Sequence, residues 1–185
     1  MIEELLQDAR EHMAKSVEST RHKFQSVRTG RASPNLLERI KVDYYGAVTP
    51  LNQLAQIHAP EPRLLTIQPY DKSSIKAIER AIQESDLGLN PGNDGAIVRL
   101  QLPEMTEERR REMVKVARNI AEEGRVAIRN IRRDTMHDLR ELKDAGEAGA
   151  DDEKRAEEAL QKATDEKIAE LDALLKAKEA DILEV

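Results

Sequence analysis

Arg125, Arg129, Arg132 and Arg133 set four guanidinium groups within about two turns of a helix. Grouped this way, the side chains suit one kind of chemistry. Each is a planar, permanently charged fork that binds phosphate oxygens and stacks on base planes. Arg111, Lys115, Arg118, Arg140 and Lys143 fall on the same side of a helical projection. The acids Glu112, Glu123, Asp134 and Glu141 lie on its flank, and Glu122 is the only one well inside it. Surface ion pairs are worth about 0–1 kcal/mol, a weak reason to gather like charges. A polyanion, RNA above all, is the expected partner. The competing reading is a solvated face whose arginines pair with nearby glutamates. Arg10, Arg21 and Arg28 share one edge of an earlier helix and either extend the patch or only decorate it.

Other chemistries find little support. The chain has no cysteine, which removes disulfides, thiolate metal sites and thiol nucleophiles. His12, His22, His58 and His137 are scattered without ligand spacing; Asp134, His137 and Asp138 form at most a weak chelate, so no metal is expected. Gly88-Leu-Asn-Pro-Gly-Asn-Asp-Gly95 lacks the lysine and hydroxyl residue of a nucleotide-binding loop and reads as a turn. There is no nucleophile elbow and no isolated carboxylate pair in apolar sequence. Neither an enzyme nor a cofactor is expected.

The basic cluster needs a rigid support. Residues 106–143 contain no proline and one glycine, Gly124, and predict a single helix about 57 Å long. Met113, Val116, Ala117, Ile120, Gly124, Ala127, Ile131, Thr135 and Leu142 form its apolar side, about 130° from the cations at 100° per residue. Thr106 suits its N-cap, and Glu107 and Glu108 suit the positive end of its dipole. A helix over 2–27 follows from Ile2, Leu5, Leu6, Ala9, Met13, Val17, Thr20, Phe24 and Val27, with Gly30 as its stop and Pro34 preventing resumption. Asp151 or Asp152 caps a last helix bearing Leu160, Ala163, Ile168, Leu171, Leu175 and Ile182.

Between the first two helices the period changes. Ile40, Val42 and Tyr44 alternate as a strand, and Val48 to Ile57 holds one or two more. Pro60-Glu61-Pro62 reads as a turn, and Leu65 and Ile67 lie in a strand closed by Pro69. Ser73 or Ser74 caps a short helix buried through Ile75, Ile78 and Ile82, turn formers fill Asn90 to Gly95, and Ile97 to Leu102 is a final strand.

None of the three amphipathic helices can bury its stripe alone, so the expected fold class is α+β. It is an elongated three-helix bundle, 1–29 with 105–185, carrying a small inserted α+β domain over 30–104. The chain crosses between the domains twice, near 29–34 and 103–106, which predicts a hinge. Its expected residues are Thr29, Gly30 and Arg31 on one crossing and Pro103, Glu104 and Met105 on the other. For 28–37 the alternative is a simple linker.

Charge sharpens the partner question. The chain carries net charge −6, yet residues 105–143 hold eleven basic and eight acidic side chains while 144–185 hold six and fourteen. The acidic end is expected to steer the basic face toward one side. Charged residues reach 36 % and aromatics only 2 %, which fits long exposed helices better than a compact enzyme. No apolar run approaches the ~20 residues that span a bilayer. The opening Met1-Ile-Glu-Glu-Leu-Leu has no basic region, so no signal peptide is read there. A soluble cytoplasmic protein is expected.

Seven segments in order carry a resemblance. They are Arg28-Thr-Gly-Arg-Ala-Ser-Pro34, Asp43-Tyr-Tyr-Gly46, Thr49-Pro-Leu-Asn-Gln-Leu54, Asp86-Leu-Gly-Leu-Asn-Pro91, Thr106-Glu-Glu-Arg-Arg110 and Arg125-Val-Ala-Ile-Arg-Asn-Ile-Arg-Arg-Asp134, preceded by the first helix. Together they resemble the bacterial ribosome recycling factor family over the whole chain, with Met105 standing where leucine is expected. The resemblance implies a three-helix bundle with a β/α/β domain in an L shape. It implies action after peptide release: with elongation factor G and GTP, the post-termination ribosome is split into subunits, and messenger and transfer RNA are released. The bundle would lie on large-subunit ribosomal RNA and the smaller domain would face elongation factor G. The factor itself would be a monomer without enzymatic activity, cofactor or membrane contact. Arg129, Arg132 and Arg133 match the RNA-contacting segment, Arg132 first; Arg125, Arg118 and Arg28 extend that face, and Arg31 belongs to the hinge. Two rival classes stand beside it, a general RNA-binding or ribosome-hibernation factor without a GTPase partner and a coiled-coil adaptor that binds protein through the acidic last helix.

Overall fold

The computed structural model describes residues 1–27 and 29–183. The chain divides into two compact units, Met1–Arg28 with Glu108–Glu184, and Thr29–Glu107. No helix among the described residues is long and apolar enough to cross a membrane.

The first unit is built from three helices, α1 (Ile2–Gln25), α4 (Glu107–Asp144) and α5 (Ala150–Leu183). One apolar core joins them. Helix α1 buries Leu6, Ala9, Met13, Val17, Thr20 and Phe24, steps of three and four that keep one seam facing the partners. Helix α4 buries Ala117, Ala121, Gly124, Ile128, Thr135 and Leu139. This seam differs from the expected stripe, since Val116 is 41 % exposed while Ala121, Ile128 and Leu139 are inside. The difference is one of phase: at 100° per residue the six buried positions fall within about 60° of arc, rotated by about 50° from the centre of the expected stripe, and the larger Met113, Ile120 and Ile131 lie half-buried at the edge of the seam. Helix α5 contributes Ala156, Leu160, Ala163, Thr164, Leu171 and Ile182.

Three threonines lie in this core without orphaned hydroxyls. Thr20, Thr135 and Thr164 donate to the carbonyl oxygens of Ser16, Ile131 and Leu160 at 3.0, 2.9 and 2.8 Å, each one turn back along its helix. Near the turn between α4 and α5, Lys143 Nζ meets the buried Glu153 carboxylate at 2.7 Å. Asp151 and Asp152 lie inside the first turn of α5, where they favour the dipole rather than cap it. Helix α1 stops well before Gly30. The Ser26 hydroxyl captures the Lys23 carbonyl at 2.7 Å, and Val27 N–H donates to Phe24 O.

The second unit holds a four-stranded antiparallel sheet and a separate hairpin. The hairpin pairs β1 (Lys41–Tyr44) with β2 (Ala47–Pro50). A single turn, α2 (Leu51–Leu54), leads to β3 (Ala55–Glu61) and β4 (Leu64–Pro69). After α3 (Ile75–Gln83) come β5 (Pro91–Asn93) and β6 (Val98–Gln101), and the sheet order is β3-β4-β6-β5. Ile75, Ile78 and Ile82 of α3 pack on Leu65, Ile67, Val98 and Leu100 of the sheet, with Leu37, Val42 and Leu51 completing the core.

Three local expectations are corrected. Pro60 and Glu61 belong to β3 rather than to a turn, and Pro91 opens β5 rather than a loop. Both strands are edges, where a residue without an N–H costs no ladder bond. Ser74 does stand at the N-cap position of α3, but its side chain makes no capping bond there; the capping carboxylate is that of Asp71, one turn earlier. Its carboxylate accepts from the Ser73 N–H at 2.9 Å and the Ser73 hydroxyl at 2.7 Å, starting a 3-10 turn over Lys72–Ser74 that runs into α3.

The β5–β6 turn is organised by Asp94. One carboxylate oxygen accepts the backbone N–H groups of Ala96 and Ile97 at 3.0 and 2.9 Å, and the other meets Arg99 Nη1 at 2.7 Å. The Arg99 bond first, and the two N–H groups next, hold this carboxyl well below the usual range. A carboxyl held low in the folded chain stabilises it above the unfolded value of about 4, and that stability is lost as pH falls through the folded value. Asp94→Asn therefore melts below the wild type at neutral pH, and the gap closes in strong acid. Melting curves of both proteins across pH check this; a gap of constant size contradicts it.

Candidate nucleic-acid interface

Helix α4 carries the predicted cations on a continuous backbone, and the structure shows how each is held. Arg118 Nε meets Glu179 Oε1 at 2.8 Å, with the arginine side chain 65 % exposed. Arg125 is well enclosed, its side chain 20 % exposed. Its Nε and Nη2 reach Asp172 Oδ1 at 2.8 and 2.7 Å and its Nη1 reaches Glu122 at 3.0 Å. Burial works to lower its pKa, but Asp172 and Glu122 outweigh that and raise it. With every edge of its fork occupied, Arg125 is a clamp between α4 and α5 more than an open anion contact.

Arg129 and Arg133 are more available. Arg129 Nη1 lies 3.4 Å from Glu122, and Arg133 Nε is 3.9 Å from Asp134 with its side chain 74 % exposed. Arg132 donates through Nε to the Gln161 carbonyl oxygen at 2.7 Å. Farther along, Arg140 lies 3.9 Å from Glu157. Glu122 thus engages two arginines, as its place inside the basic stripe suggests.

The α5 acceptors went unread in the sequence. The available signal was spacing: Arg118 and Arg125 are seven residues apart, as are Asp172 and Glu179, which is the pattern of charges flanking a helix–helix seam. On α1, Arg10 and Arg21 pair with Glu3 and Glu18 at 3.3 and 3.2 Å. Arg28 lies outside the described residues. His137, Asp138 and Glu141 bring three ligand-type atoms within 4.8 Å of one another, all exposed, with the imidazole 3.9 and 3.8 Å from the two carboxylates.

The crossing segments are pinned to the second unit. Ala32 N–H donates to Pro62 O at 2.6 Å and Leu102 N–H to Arg63 O at 2.8 Å, so both meet the same β3–β4 turn. Thr29 Oγ1 accepts from Arg31 N–H at 3.3 Å, and Glu104 lies 3.8 Å from Arg63. Gly30 takes φ +74°, and a Cβ there would lie 2.7 Å from the Met105 sulfur. A side chain at that position would be both strained and crowded.

Comparison with known proteins places this geometry. The family profile described as ribosome recycling factor matches residues 20–183. The chain is 56 % identical over 180 residues to the ribosome-recycling factor of Rubrobacter xylanophilus, covering 97 % of each chain. It is 54 % identical to that of Thermomicrobium roseum over the full length of both. A solution structure of a ribosome recycling factor superposes with a TM-score of 0.75 at 43 % identity, covering 100 % of this chain and 98 % of the other. A second similar chain, from models of the T. thermophilus ribosome recycling factor and E. coli elongation factor G bound to the E. coli post-termination complex, has a TM-score of 0.66 at 50 % identity over 99 % of both chains.

Proposed function

The chain belongs to the ribosome recycling factor family of non-enzymatic translation factors, and from that premise we propose that it binds large-subunit ribosomal RNA through α4. It then splits post-termination ribosomes with elongation factor G and GTP, releasing messenger and transfer RNA. The observation that carries the reading is a row of arginines on an unbroken helix, exposed at Arg129 and Arg133 and half-buried at Arg132, within a full-length likeness to family members. The similar T. thermophilus chain bound with elongation factor G to a post-termination complex supports the choice of partner. Arg118 extends the RNA-binding face, Arg125 fixes α5 against it, and Arg28 is a further expected RNA contact. The protein works as a monomer in the cytoplasm, without a cofactor.

Mechanically, RNA holds the bundle while the GTPase loads the inserted unit. Thr29, Gly30, Arg31, Pro103, Glu104 and Met105 form the hinge between them. Sedimentation of post-release ribosomes with this protein, elongation factor G and GTP tests the whole reading. Subunits appear only when all three are present; splitting without the GTPase would point instead to a factor that acts alone.

Arg132 is the first residue to remove. Arg132→Ala loses about 1–3 kcal/mol of ribosome binding, the range for a charge-assisted contact, while helicity by circular dichroism stays unchanged. Unaltered affinity would take this arginine out of the interface.

A further inference from the structure

The cations of α4 and their α5 partners form a ladder with a step of seven. From Arg118–Glu179 to Arg125–Asp172 the ladder advances seven residues on α4 and retreats seven on α5. The same step puts Arg132 opposite Asp165. There the pattern breaks. Gln161, one turn away on α5, stands between them. Its Nε2 donates to Asp165 Oδ1 at 2.8 Å, and its Oε1 accepts from Arg132 Nε at 2.7 Å.

Among the described residues, Gln161 is the only hydrogen-bonding partner of the Arg132 guanidinium, and no carboxylate lies within ion-pair distance. The other α4 cations that reach α5 meet carboxylates: Arg118 meets Glu179, Arg125 meets Asp172, Arg140 meets Glu157 and Lys143 meets Glu153. A neutral amide satisfies one N–H and orients the fork, yet cancels none of its charge. The two Nη groups keep both their donors and their field for an incoming phosphate.

We propose that Gln161 is a positioning residue for RNA binding: it aims Arg132 through Nε and ties up Asp165, keeping the carboxylate from neutralising the arginine. This rests on the reading of α4 as the RNA-contacting face. Three consequences follow from the chemistry. Gln161→Glu supplies Arg132 with a carboxylate in place of the amide. Gln161→Ala releases Asp165 to pair with Arg132. Adding Asp165→Asn to Gln161→Ala removes that competitor again.

The test is the affinity of full-length labelled protein for purified large ribosomal subunits at fixed Mg²⁺ and salt. It compares wild type, Gln161→Glu, Gln161→Ala, Gln161→Ala with Asp165→Asn, Arg132→Ala, and Arg132→Ala with Gln161→Glu. Gln161 and Asp165 are exposed and Arg132 is half-buried, and melting curves confirm folding. Gln161→Glu is expected to weaken binding about five- to tenfold, the scale of neutralising one interfacial charge, but less than about twofold once Arg132 is absent. Gln161→Ala weakens binding, and Asp165→Asn restores most of it. A glutamine with only a structural role would give equal losses with and without Arg132, and no rescue. Loss in Arg132→Ala with wild-type binding in Gln161→Glu would overturn the inference and leave the RNA face standing. Wild-type binding in Arg132→Ala would overturn both.

Discussion

Raising monovalent salt from about 50 to about 200 mM at constant Mg²⁺ weakens binding of this protein to the large ribosomal subunit by about 60- to 1,000-fold. The figure comes from counterion release. Four to six phosphate contacts give a log–log slope of about −3 to −5, and salt changes fourfold over that interval. The sign matters as much as the size. The whole chain carries net charge −6, so a partner that sensed only total charge would repel it, and added salt would strengthen binding. A negative slope requires local recognition of cations segregated on one face. The structure supplies the candidates: Arg118, Arg129, Arg132 and Arg133 line α4, most of them loosely held in exposed pairs. Such pairs exchange readily for phosphate because each is worth little in water. Arg125 is the exception, bonded to Asp172 and Glu122 at once, so its removal should change the slope less than removal of Arg133. Equilibrium binding across a salt series measures all of this, and a flat or positive slope would end the polyanion reading.

What the sequence shows of this interface follows its physics. The cations and their support are legible because charge and a helical period are local properties, written within thirty-eight residues of one helix. Their partners are not local. Glu179, Asp172 and Gln161 lie twenty-nine or more residues from Arg118, Arg125 and Arg132, and only the antiparallel register of α4 on α5 brings them together. The same distinction runs through the fold. The α1 stripe is fully readable, since its large apolar side chains are also its buried ones. On α4 much of the seam is small, Ala117, Ala121 and Gly124, so the larger Val116, Ile120 and Ile131 pull the expected stripe to one side, and Ile128 and Leu139 escape notice. In the inserted unit the hydrophobic alternation of β1, β4 and β6 is visible, whereas β3 and β5 hide behind prolines that only an edge position tolerates. The Asp71 cap escapes for a smaller reason, because serine and aspartate both suit the role and geometry alone decides between them.

Side chains of α1 and α5 both press on Gly124 of α4, and replacing it by leucine is expected to cost at least about 3 kcal/mol, the upper end of overpacking. A Cβ at this position would lie 2.5 Å from Leu171 Cδ1 and 2.5 Å from Thr20 Oγ1, inside any normal contact. Neither neighbour can retreat freely. Leu171 is fully buried, and the Thr20 hydroxyl is committed to the Ser16 carbonyl at 3.0 Å. Alanine is the graded case. It regains about 1 kcal/mol of helix propensity over glycine and meets a clash of about 1–3 kcal/mol, so Gly124→Ala should lose about 1 kcal/mol net. Leucine gains no more propensity and adds three further carbons, so the helices must part. Because Arg125 and Asp172 directly follow Gly124 and Leu171 in sequence, parting them also opens the enclosed clamp beneath the basic face. Urea unfolding followed by circular dichroism at 222 nm gives both stabilities. Trimming Leu171→Ala in the Gly124→Leu protein should return part of the loss, although Leu171→Ala alone costs about 2–5 kcal/mol. Additive losses in that double variant, or a Gly124→Leu protein as stable as the wild type, would show that the three helices do not meet at this point.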